Sequence, residues 1–185
     1  EAYGAAVACA PKHTGALRGL VDLYREQDRM GELAPTLGQL AECADGFERN
    51  DLLIERARVL LGPLGRPRDA LIALREAAEF DPQSAEVIRT AIQIHVALGD
   101  LDEAIRESKR LYEIYQLEGF DESPSQFRVS IGRLHQENQQ SVEALKWYKE
   151  ALEEAPNAIE IYEHCQDLML GEVGLEQTLL YFERF

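Results

Sequence analysis

The sequence predicts an all-α fold, an array of antiparallel helix pairs with about eleven helices in all. Three observations carry this expectation. Apolar residues recur at spacings of three and four nearly throughout, and no stretch alternates convincingly with period two. Gly, Pro or Asp breaks the pattern at short intervals. One joint also recurs: PLGRPRDAL at 63–71 returns 34 residues later as ALGDLDEAI at 97–105.

The elements follow in order. Residues 1–11 read as the second helix of a partial pair closed by Pro11. Complete pairs then occupy 14–47, 51–82, 85–118 and 124–156, and a partial pair fills 159–185. The small or aliphatic residue that opens each second helix sets the register: Leu33, Ala70, Ala104, Ala144 and Thr178, at intervals of 37, 34, 40 and 34. The two longer intervals contain stretches that read as loop-like insertions, ADGFERN (44–50) and LEGFDESPSQF (117–127). Helical faces are clear in 101–115, through Leu101, Ala104, Ile105, Leu111, Tyr112 and Tyr115, and in 144–152, through Ala144, Leu145, Tyr148, Ala151 and Leu152.

The joints have physical reasons. Gly65 and Gly99 tolerate the positive φ that ends one helix and turns the chain. Pro67 suits a first helical turn, where its missing N–H costs nothing, and Ser123-Pro124 makes a similar start. Asp100 with Glu103 three residues on has the spacing of a capping box. Ala at the crossing of paired helices, and Gly132 on a first helix, allow close approach.

These residues resemble the tetratricopeptide repeat family over essentially the whole chain. The fourth pair matches best, with Gly132, Ala144, Tyr148, Ala151 and Pro156 in register. The second supplies Ala57, Gly65, Ala70, Ala77 and Pro82, and the third Ala91, Gly99 and Ala104. The first, with Leu20, Tyr24, Leu33 and Leu37, diverges more. The resemblance implies a right-handed superhelical solenoid in which each repeat contacts mainly its neighbours.

Composition narrows the function. With 34 acidic against 19 basic residues, the net charge of −15 argues against non-specific nucleic-acid or anionic-membrane binding. No apolar run approaches the ~20 residues of a membrane span. The chain starts without Met, inside a helical stretch, and reads as a fragment. Cys9, Cys43 and Cys165 lack metal-ligand spacing and are expected as buried free thiols, which favours a reducing, cytoplasmic location.

No glycine-rich phosphate loop, nucleophile elbow or HExxH occurs, so no catalytic residue, cofactor or metal is expected. His95 and His135 hold one repeat position, often Tyr in the family, and are expected to pack. His164 and Cys165, as helix neighbours, point about 100° apart and ligate one ion poorly.

The family's register implies where a partner segment binds: the first helices of each pair line a groove. Its inward positions here carry Arg18, Arg25, Arg56, Arg89 and Arg133 beside Asp22, Glu26, Glu55, Glu86 and Glu137. Five basic against five acidic residues is an Arg-enriched balance for this chain, and Arg forks suit carboxylates. The groove is expected to take an acidic protein or peptide segment. The alternative is that these arginines are solvated and paired with nearby acids. Trp147, beside Tyr148 but on another face, is the expected exposed aromatic contact. The 117–127 linker is expected to accommodate a longer helix; the alternative is that it reaches into the groove, with Phe120 and Phe127 as its anchors.

The apolar end LLYFERF (179–185) predicts self-association through an exposed repeat end. The expected function is a non-enzymatic protein–protein interaction scaffold. The competing expectation is a regulatory or targeting region of a larger enzyme.

Overall fold

The computed structural model describes residue 3, residues 9–119 and residues 123–168. Among them are nine helices and no strand. They are α1 (Thr14–Glu26), α2 (Met30–Ala41), α3 (Gly46–Leu61), α4 (Pro67–Phe80), α5 (Ala85–Leu98), α6 (Leu101–Glu118), α7 (Pro124–Glu137), α8 (Ser141–Glu154) and α9 (Ile159–Leu168). The two further helices expected near 1–11 and in 169–185, with the apolar end, fall almost entirely outside the described residues. The chain forms two compact units, Glu1–Asp100 and Leu101–Phe185.

In the first unit each helix turns one stripe inward. Leu33, Leu37 and Leu40 of α2, at i, i+4 and i+7, meet Leu17 and Val21 of α1 and Leu53, Ile54 and Ala57 of α3 in one buried core. Ala70, Ala73 and Ala77 of α4 are almost fully buried, so small side chains bring that helix close. In the second unit Ala144, Leu145, Tyr148, Ala151 and Leu152 of α8 bury with Ile161, Cys165 and Leu168 of α9.

The joint noticed in the sequence is built four times. Gly65 and Gly99 have φ of 59° and 76°, and Asp28 and Gln139 take the same left-handed conformation at 55° and 58°. These four residues repeat the 37, 34 and 40 intervals. In each case the next N–H turns back onto the closing helix: Arg29 to the Tyr24 carbonyl (2.9 Å), Arg66 to Leu60 (2.7 Å), Asp100 to His95 (2.9 Å) and Gln140 to His135 (2.8 Å). Carbonyls orphaned at a helix end are satisfied this way. Pro67 and Pro124 open their helices as expected.

Among their described residues both stretches are largely helical. Asp45 occupies the N-cap position of α3 without a side-chain capping bond, and the helix starts at Gly46, so most of ADGFERN lengthens a first helix. Phe47 stands edge-on to Phe80 of α4 at 5.4 Å, and Asn50 is buried. Likewise α6 runs for 18 residues to Glu118 and α7 begins at Pro124. Phe127 is therefore no linker anchor: it is buried on α7, stacked on Tyr115 with ring centroids 5.8 Å apart. Phe120 lies outside the described residues.

Candidate functional site

The expected groove arginines sit on helices whose inward stripes leave their polar faces exposed, and most of them are already bridged. Arg18 of α1 meets Glu48 of α3 at 2.5 Å. One helical face further along, Arg25 grips Glu55 through Nη2 at 2.8 and 3.1 Å and through Nε at 3.2 Å, with Asp22 at 3.0 Å. Arg58 of α3 then reaches Glu86 of α5 at 2.8 Å. In the second unit Arg133 of α7 meets Glu160 of α9 at 2.6 Å, and its Nε donates to His164 Nε2 at 3.2 Å. Within each unit, then, an arginine of one first helix holds a carboxylate of the next first helix. The hydrogen bonds it donates to Glu55 hold the Arg25 guanidinium above its ordinary value, against a smaller opposing effect of burial.

This ladder is exposed, and exposed ion pairs contribute little. Replacing Arg25 with alanine is expected to cost at most about 1 kcal/mol. Urea unfolding of the variant checks this, and a larger loss would mean that the ladder sets the helix spacing.

Arg56 behaves differently. It is half-buried, its Nε is shielded from solvent, and it makes no hydrogen bond or ion pair. It lies a third of a turn round α3 from Glu55, against α2, where a Cβ added at Gly38 would sit 3.1 Å from its Cζ. There it lines a cavity of about 300 Å³ between α2, α3 and α4, with Leu60, Pro35 and Ile72 as apolar wall and the Arg66–Asp69 pair (2.6 Å) at its side. The structure therefore does not bring Arg56 into line with Arg18 and Arg25. Arg89 is half-buried on α5 and is engaged rather than free. A second cavity, about 390 Å³, lies beside Arg133 and Glu160, with Ser125, Gln126 and Val129 of α7.

Trp147 is not an exposed contact. It is half-buried, edge-on to Tyr112 at 5.7 Å, with the Lys109 ammonium 5.8 Å from its ring. Tyr112 in turn carries the Arg128 guanidinium at 5.6 Å. An aromatic on the flank of a core-facing Tyr is covered here because the long α6 supplies Tyr112.

Cys165 is buried, which pushes its thiol up to about 11, whereas Cys43 is half-buried and Cys9 exposed, contrary to the expectation of three buried thiols. Among the described residues no cluster of His, Cys, Asp or Glu could hold a metal ion, and no helix is long and apolar enough to cross a membrane. His95 Nδ1 lies 3.9 Å from an Asp100 carboxylate oxygen. His135 is buried, Nδ1 2.6 Å from Gln140 Oε1 and Nε2 without a partner.

Burial lowers the His135 pKa, outweighing the opposite effect of the Gln140 contact. The unfolded chain, with an ordinary value of about 6.5, then binds the proton more readily than the folded one. Stability from this group is complete above that value and is lost as pH falls through it toward the folded value. Melting between pH 7.5 and 5 is expected to show this loss, and His135→Asn to reduce it. An unchanged slope in the variant would assign the loss elsewhere.

No family model matches the chain, and no curated protein matches it. Solved structures do. YrrB, described as a TPR protein with an unusual peptide-binding site, is 18% identical over 89% of this chain and 80% of its own, with a TM-score of 0.65. The MamA protein is 15% identical over 92% and 88%, with a TM-score of 0.67. A tetratricopeptide repeat protein from Parabacteroides merdae is 17% identical over 90% and 62%, with a TM-score of 0.64. At these identities the likeness is one of fold.

Proposed function

We propose that this chain, whose paired helices have the tetratricopeptide-repeat fold, is a non-enzymatic protein–protein interaction scaffold that binds a protein or peptide segment and helps to assemble a complex. The observation that carries the reading is the row of first helices. Within each unit their exposed faces carry cross-helix charge pairs: Arg18–Glu48, Arg25–Glu55 and Arg58–Glu86 in the first and Arg133–Glu160 in the second. Such a row is a preorganised polar surface, which lowers the ordering cost of docking an extended segment. The likeness to YrrB, which carries a peptide-binding site, supports the same reading. The pairs are proposed to wind as a right-handed superhelical solenoid, and the chain to work in the cytoplasm.

The ladder also refines the expected chemistry. Because its arginines already hold carboxylates, a segment lying on this face is recognised by mixed charge and backbone contacts rather than by net positive charge. The test is a displayed random-peptide library selected on the chain, followed by photo-crosslinking from position 22 on α1 and from position 146 on α8. Crosslinks from 22 and not from 146 support the reading. Failure to select any peptide overturns it. Self-association through a repeat end is proposed separately; a monomer independent of concentration in sedimentation would overturn that.

A further inference from the structure

The cavity between α2, α3 and α4 joins three features that packing alone does not require. The first is a guanidinium without a carboxylate. In a chain with 34 acidic and 19 basic residues, Arg18, Arg25 and Arg58 of the same unit each hold one, while Arg56 holds none and has its Nε shielded from water. A buried N–H without a partner is costly, here the Nε of a guanidinium that is otherwise half-exposed. The second is charge count. Arg66 is matched by Asp69, which leaves one unmatched positive charge on the cavity wall. One monoanion balances it, whereas a dianion would face Asp69 uncompensated. The third is the apolar wall of Leu60, Pro35 and Ile72; Ile72 is 57% exposed, far more than an aliphatic side chain packed in a core.

The α2 sequence points the same way. Gly31, Pro35 and Gly38 are poor helix formers, yet they stand at i, i+4 and i+7 on one face of that helix. Gly31 and Pro35 line the cavity, and Gly38 makes room for the Arg56 guanidinium. Local choices that oppose the secondary structure concentrate where a surface has another task.

We propose that this cavity is a second binding site, which takes the side-chain carboxylate of an Asp or Glu in a partner protein segment, with an adjacent aliphatic side chain against Ile72, Leu60 and Pro35. The carboxylate accepts from Arg56, and the volume of about 300 Å³ suits one or two side chains rather than a folded surface. The site lies off the arginine ladder, on the side of α3 that faces α2. It rests on the scaffold reading only in that its occupant is a protein segment.

The experiment uses the displayed random-peptide library on the whole chain, then fluorescence anisotropy with synthetic copies of the selected peptides. Five comparisons decide: the peptide acid changed to its amide, the peptide C-terminus amidated, Arg56→Met, the control Lys146→Met, and Ile72→Glu, which sets a tethered carboxylate at the cavity mouth. The expected result is a loss of about ten- to a hundred-fold for the acid-to-amide peptide and for Arg56→Met, the usual effect of a charged hydrogen bond. Ile72→Glu weakens binding similarly without touching the core, so the result does not depend on the fold of one variant. C-terminal amidation and Lys146→Met, on the α8 surface away from both proposed sites, leave affinity within about two-fold. Peptides that bind Arg56→Met and Ile72→Glu as tightly as the native chain overturn the cavity site and leave the scaffold reading standing. Loss on C-terminal amidation alone overturns the side-chain source. Selection of no peptide overturns both readings.

Discussion

Replacing Tyr148 with alanine lowers the stability of the second unit by about 3–5 kcal/mol, the range for emptying a buried aromatic position. Tyr148 is fully buried on α8. Its ring stacks on His164 at 5.5 Å, and its hydroxyl donates to Gln136 Oε1 at 2.8 Å. The ring also lies across Gly132, where an added Cβ would sit 2.5 Å from Cε1. The two positions are therefore coupled, and the sign can be stated. Gly132→Ala alone forces the ring to move, an overpacking cost of about 1–3 kcal/mol that exceeds or cancels the ~1 kcal/mol gained in helix propensity. In the Tyr148→Ala background the ring is gone and only the propensity gain remains, so the same change becomes neutral or stabilising. Tyr148→Phe, which keeps the ring, loses about 1 kcal/mol for the hydroxyl bond. Denaturant unfolding of the four-member cycle measures the coupling. Additive effects would show that α7 and α8 do not cross where Gly132 places them.

Much of the fold was legible because repeat geometry writes itself into spacing. The intervals read from Leu33, Ala70, Ala104 and Ala144 reappear as the positive-φ residues Asp28, Gly65, Gly99 and Gln139. Only two of those four joints were recognisable by residue type, since Gly is the usual choice and Gln is not. At Gln139 the turn bonds, Gln139 N–H to the Gln136 carbonyl and Gln140 N–H to that of His135, hold a conformation that the residue itself disfavours. The loop-like reading of 44–50 fails for the converse reason, while the longer helix expected at 117–127 is found in α6. GFERN is polar enough to read as loop, yet it lies in α3 with Phe47 edge-on to Phe80.

The candidate site was legible as far as helix phase goes and no further. Register placed Arg18, Arg25 and Arg133 on the first-helix faces. The acids that neutralise them lie one first helix on, and that pairing depends on how neighbouring helices are offset, which no local pattern records. Arg58 was overlooked for the same reason, although it bridges to Glu86 as the others bridge to their acids. Arg56 is the reverse case. Adjacent to Glu55 in sequence, it is turned about 100° from it, and that rotation separates a satisfied ladder from an unsatisfied cation. Trp147 shows the limit of reasoning by face: its cover comes from Tyr112, on another helix of the unit.

Pro35 connects stability to the proposed cavity, and its replacement is expected to act in opposite directions on the two. It lies inside α2, five residues past the helix start, where proline has no N–H to give the Gly31 carbonyl and its ring crowds that carbonyl. An interior proline costs about 3 kcal/mol relative to alanine. Here the residue is exposed, so water relieves part of the loss at the carbonyl. Pro35→Ala is therefore expected to stabilise the first unit by about 1–3 kcal/mol, measured by denaturant unfolding. The same change takes the pyrrolidine ring from the apolar wall beside Arg56. Affinity for the carboxylate-bearing peptides should fall as stability rises. A stability gain with affinity intact would leave Pro35 without a role in the cavity. No gain at all would mean that the helix has already absorbed the cost, through Thr36, whose hydroxyl bonds the Glu32 carbonyl at 2.7 Å one residue further on.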